Sequence, residues 1–438
     1  MDIYHFYCPT SELWLSSIPS HWTMEKIKYL FSERSEKGYP DEPLLVASQN
    51  MGVVPKNVYG SRTVEAQKDL HLLKLVKRGD FVISLRSFQG GIECAYYQGI
   101  ISPAYTVMIP HEQITEGYFR YLAKSAPFID LLRFCVTGIR EGQNIDYAKL
   151  KNHKIPLPPR EEQDQIVRFL DWKVSAINAL IRNHRYEVSL LEETKQTLIS
   201  RAIAELANIK GCEVKRLKNI AKCNVATLEE TTHPDYSFRY VDIGSVDSKH
   251  GITGYTTMTF AKAPTRARRI VQTGDIIIST VRTYLRAITE ITDSDNVIVS
   301  TGFAVITPVN VDSKYLEYCF KSDQFCDEVI RRSIGIAYPA INTSALMNIC
   351  IPIVDYNTQR EVADFLTEKC RQIDRHIENT ADQIQQLEDL KKRLISDVVT
   401  GKIDVRGIEV PEYEYGAEES GAQEWTAEEA DDQNGGEQ

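Results

Sequence analysis

The chain has 438 residues, 42% of them hydrophobic, enough to bury two ordinary cores. It holds no run of about 18 apolar residues and no basic-then-apolar leader at Met1-Asp2-Ile3-Tyr4-His5, which excludes a membrane span and points to the cytoplasm. Nine scattered cysteines without a Cys-x-x-Cys pair exclude a disulfide framework or structural zinc, and the net charge of −10 is local: residues 407–438 hold 11 acids and no Lys or Arg, against 51 basic and 50 acidic residues elsewhere.

Along the chain, the first unit opens near Ile18-Pro19-Ser20-His21-Trp22. Ser48-Gln49-Asn50 reads as a turn between strands, and Asp80-Phe81-Val82-Ile83-Ser84, preceded by Gly79, as a buried strand. The loop Arg86-Ser87-Phe88-Gln89-Gly90-Gly91 follows, then a strand over 101–107 and a helical stretch over 118–122. A Gly-rich loop over 137–144 precedes the Pro-bounded segment Pro156-Leu157-Pro158-Pro159, which a helix can follow because its first amides need no intrahelical acceptor. Leu170, Val174, Ile177, Ile181, His184, Val188, Leu191, Leu198 and Ala202 then trace the 3-4 spacing of a coiled-coil seam.

After residue 207 the pattern starts again with an offset of 196. Ile155-Pro156-Leu157 recurs as Ile351-Pro352-Ile353, Gln163 as Gln359, Phe169-Leu170 as Phe365-Leu366, and Leu198-Ile199-Ser200 as Leu394-Ile395-Ser396. Gly274-Asp275-Ile276-Ile277-Ile278-Ser279 repeats the Gly-Asp strand, residues 299–305 the next strand and 314–320 the helix. The seam returns as Leu366, Cys370, Ile373, Ile377, Thr380, Ile384, Leu387, Leu394 and Val398. The predicted fold is α+β: two tandem β-rich domains, each followed by a long helix, the two helices forming an antiparallel coiled coil. Pairing about a pseudo-dyad places a domain at either end of a rod roughly 50 Å long at 1.5 Å per residue. Domain boundaries fall at 1–158, 159–207 (helix), 208–355, 356–403 (helix) and 404–438, an acidic tail whose composition predicts disorder.

The segment Ile155-Pro156-Leu157-Pro158-Pro159-Arg160-Glu161-Glu162-Gln163-Asp164-Gln165-Ile166-Val167, the helix end Leu198-Ile199-Ser200, and their second copies around Thr358-Gln359-Arg360-Glu361-Val362 and Leu394 to Ile403 resemble the DNA-specificity subunit of a type I restriction-modification system. The resemblance covers nearly everything before the tail. It departs at Asp355-Tyr356-Asn357, which stand where the first copy has Pro158-Pro159-Arg160. It implies two target-recognition domains, each reading half of a split asymmetric site in double-stranded DNA, with the helices as spacer and no active site or directly bound cofactor. Two modification subunits using S-adenosylmethionine, and restriction subunits using ATP and Mg2+, are the implied partners.

Reading a sequence requires side chains that reach base edges and cations that hold phosphates. In the first domain Gln49, Asn50, Arg86, Ser87, Gln89, Arg140, Gln143 and Asn144 are the candidates. In the second they are Lys249 in Asp247-Ser248-Lys249-His250, the basic cluster Lys262, Arg266, Arg268 and Arg269, then Arg282, Tyr284 and Arg286, and Tyr338 in the loop over 335–342. Solvated turns are the alternative for the loops, and a solvated face for the basic cluster. The halves match where they fold and diverge in these loops.

An enzyme would need residues that are missing. There is no Asn/Asp-Pro-Pro-aromatic motif for amino-methyl transfer, no Gly-x-x-x-x-Gly-Lys-Ser/Thr for a motor, and no nucleophile elbow. A pure coiled-coil scaffold is the other reading, but a scaffold has no need of two unlike loop sets on matching cores.

Overall fold

The computed structural model describes residues 3–59, 69–137, 144–247, 249–335 and 338–412. The chain divides into two compact units, Met1–His184 with Gln383–Gln438, and Arg185–Asp382. Two long helices, Arg160–Glu205 and Tyr356–Val399, each give one part to either unit.

In the first unit an antiparallel sheet runs in the order Phe31–Arg34, Thr106–Pro110, Phe81–Ile83, Glu93–Cys94. The second unit repeats it as Ala221–Cys223, Phe303–Pro308, Ile276–Ser279, Ile288–Glu290. Both central strands are covered on two faces, which explains their unbroken apolar runs. Phe81 and Ile83 face the large core while Val82 joins Leu45, Val53 and Val76, and Ile276 and Ile278 part from Ile277 in the same way. The Gly-Asp pair before each strand makes the same turn. Gly79 and Gly274 adopt φ of +87° and +89°, and each aspartate carboxylate accepts the amide three residues back, from Lys77 at 2.7 Å and Gln272 at 2.8 Å.

A further layer is complete in the second unit, where Ser237–Val241 lies parallel to Val297–Ser300 between Thr256–Thr259 and Ala267–Ile270. The first unit has it in reduced form, with Gly99–Ile101 against Lys74–Val76 and isolated parallel bridges from Leu44 to Ile100 and from Val53 to Ala95. Two helices close each domain: Glu116–Leu122 and Ala126–Phe134 in one, Ser313–Lys321 and Asp323–Arg332 in the other. Side chains of Thr115 and Asp312 cap the first helix of each pair by accepting the amides of Tyr118 and Tyr315. The last strand of each domain pairs with a strand near its start, Lys154–Leu157 with Thr23–Lys26 and Cys350–Ile353 with Glu213–Arg216.

The repeated glutamines fasten each long helix to its domain. Gln163 Oε1 accepts the Thr115 amide at 2.8 Å while its Nε2 donates to the Pro158 and Gln113 carbonyls, at 2.9 and 3.0 Å. Gln359 accepts the Asp312 amide at 3.0 Å and donates to the Val354 carbonyl at 2.8 Å. Buried amides of this kind are retained because each polar atom finds a partner.

The helices pair antiparallel. In the first unit Leu170, Ile177 and Ile181 share a core with Leu394 and Val398, Ile384 and Leu387 pack at its margin, and Lys391 donates to Asn178 at 3.0 Å. In the second, Leu366 and Cys370 share a core with Ile199 and Ile203, with Leu198 packed against it, while Val188, Leu191, Ile373 and Ile377 are half-buried. The Leu-Ile-Ser motifs cross over between repeats. Ser396, from the second helix, accepts the Ala126 amide of the first domain at 3.1 Å, and Ser200, from the first helix, accepts the Asp323 amide of the second domain at 2.9 Å.

The first unit also begins earlier than Ile18. Tyr4, Leu15 and Trp22 enter its core, Trp14 stands edge-on to Phe128, and Glu12 bonds His153 and the Lys154 amide. No helix among the described residues is long and apolar enough to cross a membrane.

Candidate nucleic-acid interface

In each domain the structure brings two of the sequence-derived segments together. In the first domain the turn after Leu45–Ser48 lies against the loop that follows Phe81–Ile83. Gln49 Nε2 donates to the Arg86 carbonyl at 3.4 Å, and Gly90 packs so closely on the Gln49 side chain that a Cβ there would come within 2.5 Å of it. Gly91, at φ +91°, passes the Ala123 carbonyl, where a Cβ would stand at 2.2 Å. Gly91 is therefore needed for backbone approach, whereas at Gly90 the obstructing atoms belong to the flexible, exposed Gln49 side chain. Arg86, Gln89, Asn50 and Leu85 are exposed on the resulting surface.

Lys124, between the two helices of this domain, holds the cluster from behind. Its ammonium donates to the Gln49 carbonyl at 3.1 Å, the Gly90 carbonyl at 3.0 Å and both oxygens of Glu93 at 2.7 Å. Glu93 is 2% exposed, and burial pushes its carboxyl up to about 7 against the pull of Lys124. Sequence reading missed this lysine, since nothing in its surroundings marks a tertiary contact.

In the second domain the loop over 280–286 meets residues 338–340. The Arg282 amide donates to the Pro339 carbonyl at 2.8 Å, Val281 bridges Ala340, and the Arg282 guanidinium lies 5.2 Å from the Tyr338 ring centre. Arg282 and Arg286 both adopt positive φ, +49° and +51°, on either side of the one-turn segment Thr283–Leu285. Tyr338 is 67% exposed and Tyr284 52%, so two aromatic rings and one guanidinium face solvent together.

Most of the other expected DNA ligands also bond within the chain. Ser87 is 1% exposed and its hydroxyl accepts the Ser84 amide at 2.9 Å, so it shapes its own loop. Arg286 turns inward to Asp323 at 2.6 Å and Asp327 at 3.5 Å. Lys249 pairs with Glu192 of the first long helix at 2.7 Å. In the basic cluster Lys262 is exposed, Arg266 bonds Asp242 at 2.7 Å, Arg268 lies over Phe260 at 4.7 Å, and Arg269 donates to the Thr227 hydroxyl at 3.3 Å. Asn144 lies in the two-residue strand Asn144–Ile145, its side chain accepting the Ile145 amide. Arg140, Gln143, Ser248, Ile336, Ala337 and the tail from 413 lie outside the described residues.

Asp323 joins the second cluster to the coiled coil. Besides Arg286, it accepts Gln196 Nε2 at 2.9 Å and the Ser200 hydroxyl at 2.8 Å, both from the first long helix. Burial works to raise its carboxyl, but the bonds from Arg286 and Ser200 hold it below the usual carboxylate range.

The family model described as the type I restriction modification DNA specificity domain matches this chain twice, over residues 28–188 and 209–389. The type I restriction enzyme MjaVIII specificity subunit of Methanocaldococcus jannaschii is 25% identical over 297 residues, 62% of this chain. The alignment spans 66% of that relative's length. A chain from a type I R-M system, solved to describe complex assembly and conformational transition, superposes with a TM-score of 0.61 at 16% identity, covering 88% of this chain and 99% of its own; that likeness concerns the fold.

Proposed function

Because the chain belongs to the type I restriction-modification DNA specificity family, whose role is DNA sequence recognition, we propose that each of its two domains reads one half of a split, asymmetric site in double-stranded DNA. One observation carries this reading: two domains with the same strand order, the same Gly-Asp turn and the same buried glutamine present different side chains on their loop clusters. Asn50, Arg86 and Gln89 stand on one, Arg282, Tyr284 and Tyr338 on the other. Arg suits the acceptor pair of guanine and Asn or Gln the donor-acceptor pair of adenine, so unlike clusters select unlike half-sites. Lys262 and the neighbouring arginines add phosphate contacts that fix register without reading sequence.

In this reading the chain supplies no chemistry. Two modification subunits bring S-adenosylmethionine and the methyl transfer, and restriction subunits bring the ATP- and Mg2+-dependent cutting. The test is methyl incorporation into DNA with and without a co-expressed modification subunit, followed by mapping of the methylated motif. Pure chain alone should give none, the complex a two-part motif. Exchange of residues 212–348 for the matching domain of a relative should alter one half of that motif, and a change in both halves would end the idea of separate reading heads.

A further inference from the structure

Behind each loop cluster stands an ion pair located at the junction of the two helices, and its polarity is reversed between the domains. In the first domain the helix junction provides the cation, Lys124, and the strand Glu93–Cys94 the anion. In the second the junction provides the anion, Asp323 at the start of Asp323–Arg332, and the loop the cation, Arg286. Each pair reaches backbone or side chains that lie next to exposed candidate readers. Lys124 binds the carbonyls of Gln49 and Gly90, whose chain neighbours are Asn50 and Gln89. Arg286 closes the turn that carries Arg282 and Tyr284, and it does so from a left-handed backbone conformation that a side chain adopts only when its surroundings impose it.

Resting on the half-site reading above, we propose that Lys124 and Asp323 are positioning residues for DNA recognition, each fixing the reading loop of its own domain against the helix pair and so setting how sharply one half-site is read. Asp323 has a further consequence, because the same carboxylate holds Gln196 and Ser200 of the long helix. Loop, domain helix and coiled coil in the second unit therefore share one group. In the first unit the corresponding contact, Ser396 to the Ala126 amide, involves no charged loop residue. The two half-sites thus depend on their scaffold in different ways. Groove recognition tolerates little displacement, since a bidentate contact to a base edge is lost when its backbone support shifts by roughly 1 Å.

The experiment uses the full chain in complex with its modification subunit and reads the methylated motif by sequencing. Asp323→Asn keeps one acceptor oxygen where the carboxylate offers two, one to Gln196 and Arg286 and the other to Ser200, and removes the charge that holds Arg286. It should reduce discrimination in the half-site of the second domain by roughly 10-fold, the order of one mismatched base pair, and leave the other half unchanged. Asp323→Glu should restore discrimination. Lys124→Met should do the converse, relaxing only the half-site of the first domain. Because it leaves Glu93 buried without its cation, the double variant Lys124→Met with Glu93→Gln is measured beside it. Relaxation confined to the half read by the altered domain supports the proposal. Unchanged preference in both halves, or equal weakening on all sequences, overturns it, and the half-exposed Asp323 pair decides the matter where the Lys124 variants do not fold. A wild-type complex that methylates no two-part motif would instead sink the half-site reading itself.

Discussion

Replacing Gln163 or Gln359 by alanine tests whether the long helices are fastened to the domains by one repeated side chain. Gln163→Ala removes three hydrogen bonds, strands the Thr115 amide at the start of Glu116–Leu122, and frees the Pro158 and Gln113 carbonyls. An amide left without a partner costs about 1–3 kcal/mol, and carbonyls with a second lone pair cost less, so the expected loss is about 2–3 kcal/mol. Gln359→Ala removes two bonds and belongs at the lower end of that range. Hydrogen exchange read by mass spectrometry locates the effect. At about 1.4 kcal/mol per tenfold, amides over 113–119 should exchange roughly 30-fold faster in the first variant while those over 310–318 stay unchanged, and the second variant should show the reverse. Equal acceleration in both regions, or none in either, would refute the assignment of these glutamines as local fasteners.

Glu93 predicts a pH dependence. Its carboxyl titrates near 7 in the fold against 4.5 when unperturbed, so over that interval the native chain holds a proton that the unfolded chain has released, and stability from this group falls as pH rises. Unfolding free energies from urea titrations of Glu93→Gln should therefore gain on wild type by up to about 3 kcal/mol between about pH 5 and 8, and a difference independent of pH would contradict the burial argument. Arg86→Ala and Arg282→Ala should each weaken specific binding by about 1–3 kcal/mol, at one base position if the guanidinium meets a guanine edge and on all sequences if it meets phosphate; unchanged affinity for both would remove these loops from the reading surface. One heptad inserted into each long helix near Tyr186 and Asp382 preserves the seam, adds roughly 10 Å at 1.5 Å per residue, and should lengthen the nonspecific spacer by about 1–3 bp with both half-sites intact. Methylation only at the original spacing would show that another element measures the distance.

The duplication and the coiled coil were legible because they rest on local chemistry. A Gly-Asp turn, a capped helix and a 3-4 apolar spacing each leave their mark within a few residues, and all recur in both copies. The loop clusters were legible as composition but not as geometry. Arg86 and Arg286 sit in similar strings, yet one is exposed and the other is held by Asp323, a residue 37 positions on, and no local pattern separates them. Lys124 looked like an ordinary residue at a helix end. The core contribution of Tyr4, Trp14 and Leu15 was hidden for another reason: they lie in short irregular segments without period, and their partners, such as Phe128 and Glu162, are more than a hundred residues away.

The crossing of the Leu-Ile-Ser motifs also sets a timetable for synthesis. Everything in the second unit, Arg185–Asp382, is contiguous and can close once residue 382 has left the ribosome. The first unit is begun earlier and finished later. Its Tyr118 hydroxyl waits for the Val399 carbonyl, its Ala126 amide for Ser396, and its Ile177 and Ile181 for Leu394 and Val398. Through the translation of some two hundred residues an apolar face of the nascent first domain stays open. A stop codon late in the second helix would therefore strike hardest at the domain whose own residues had all been made long before.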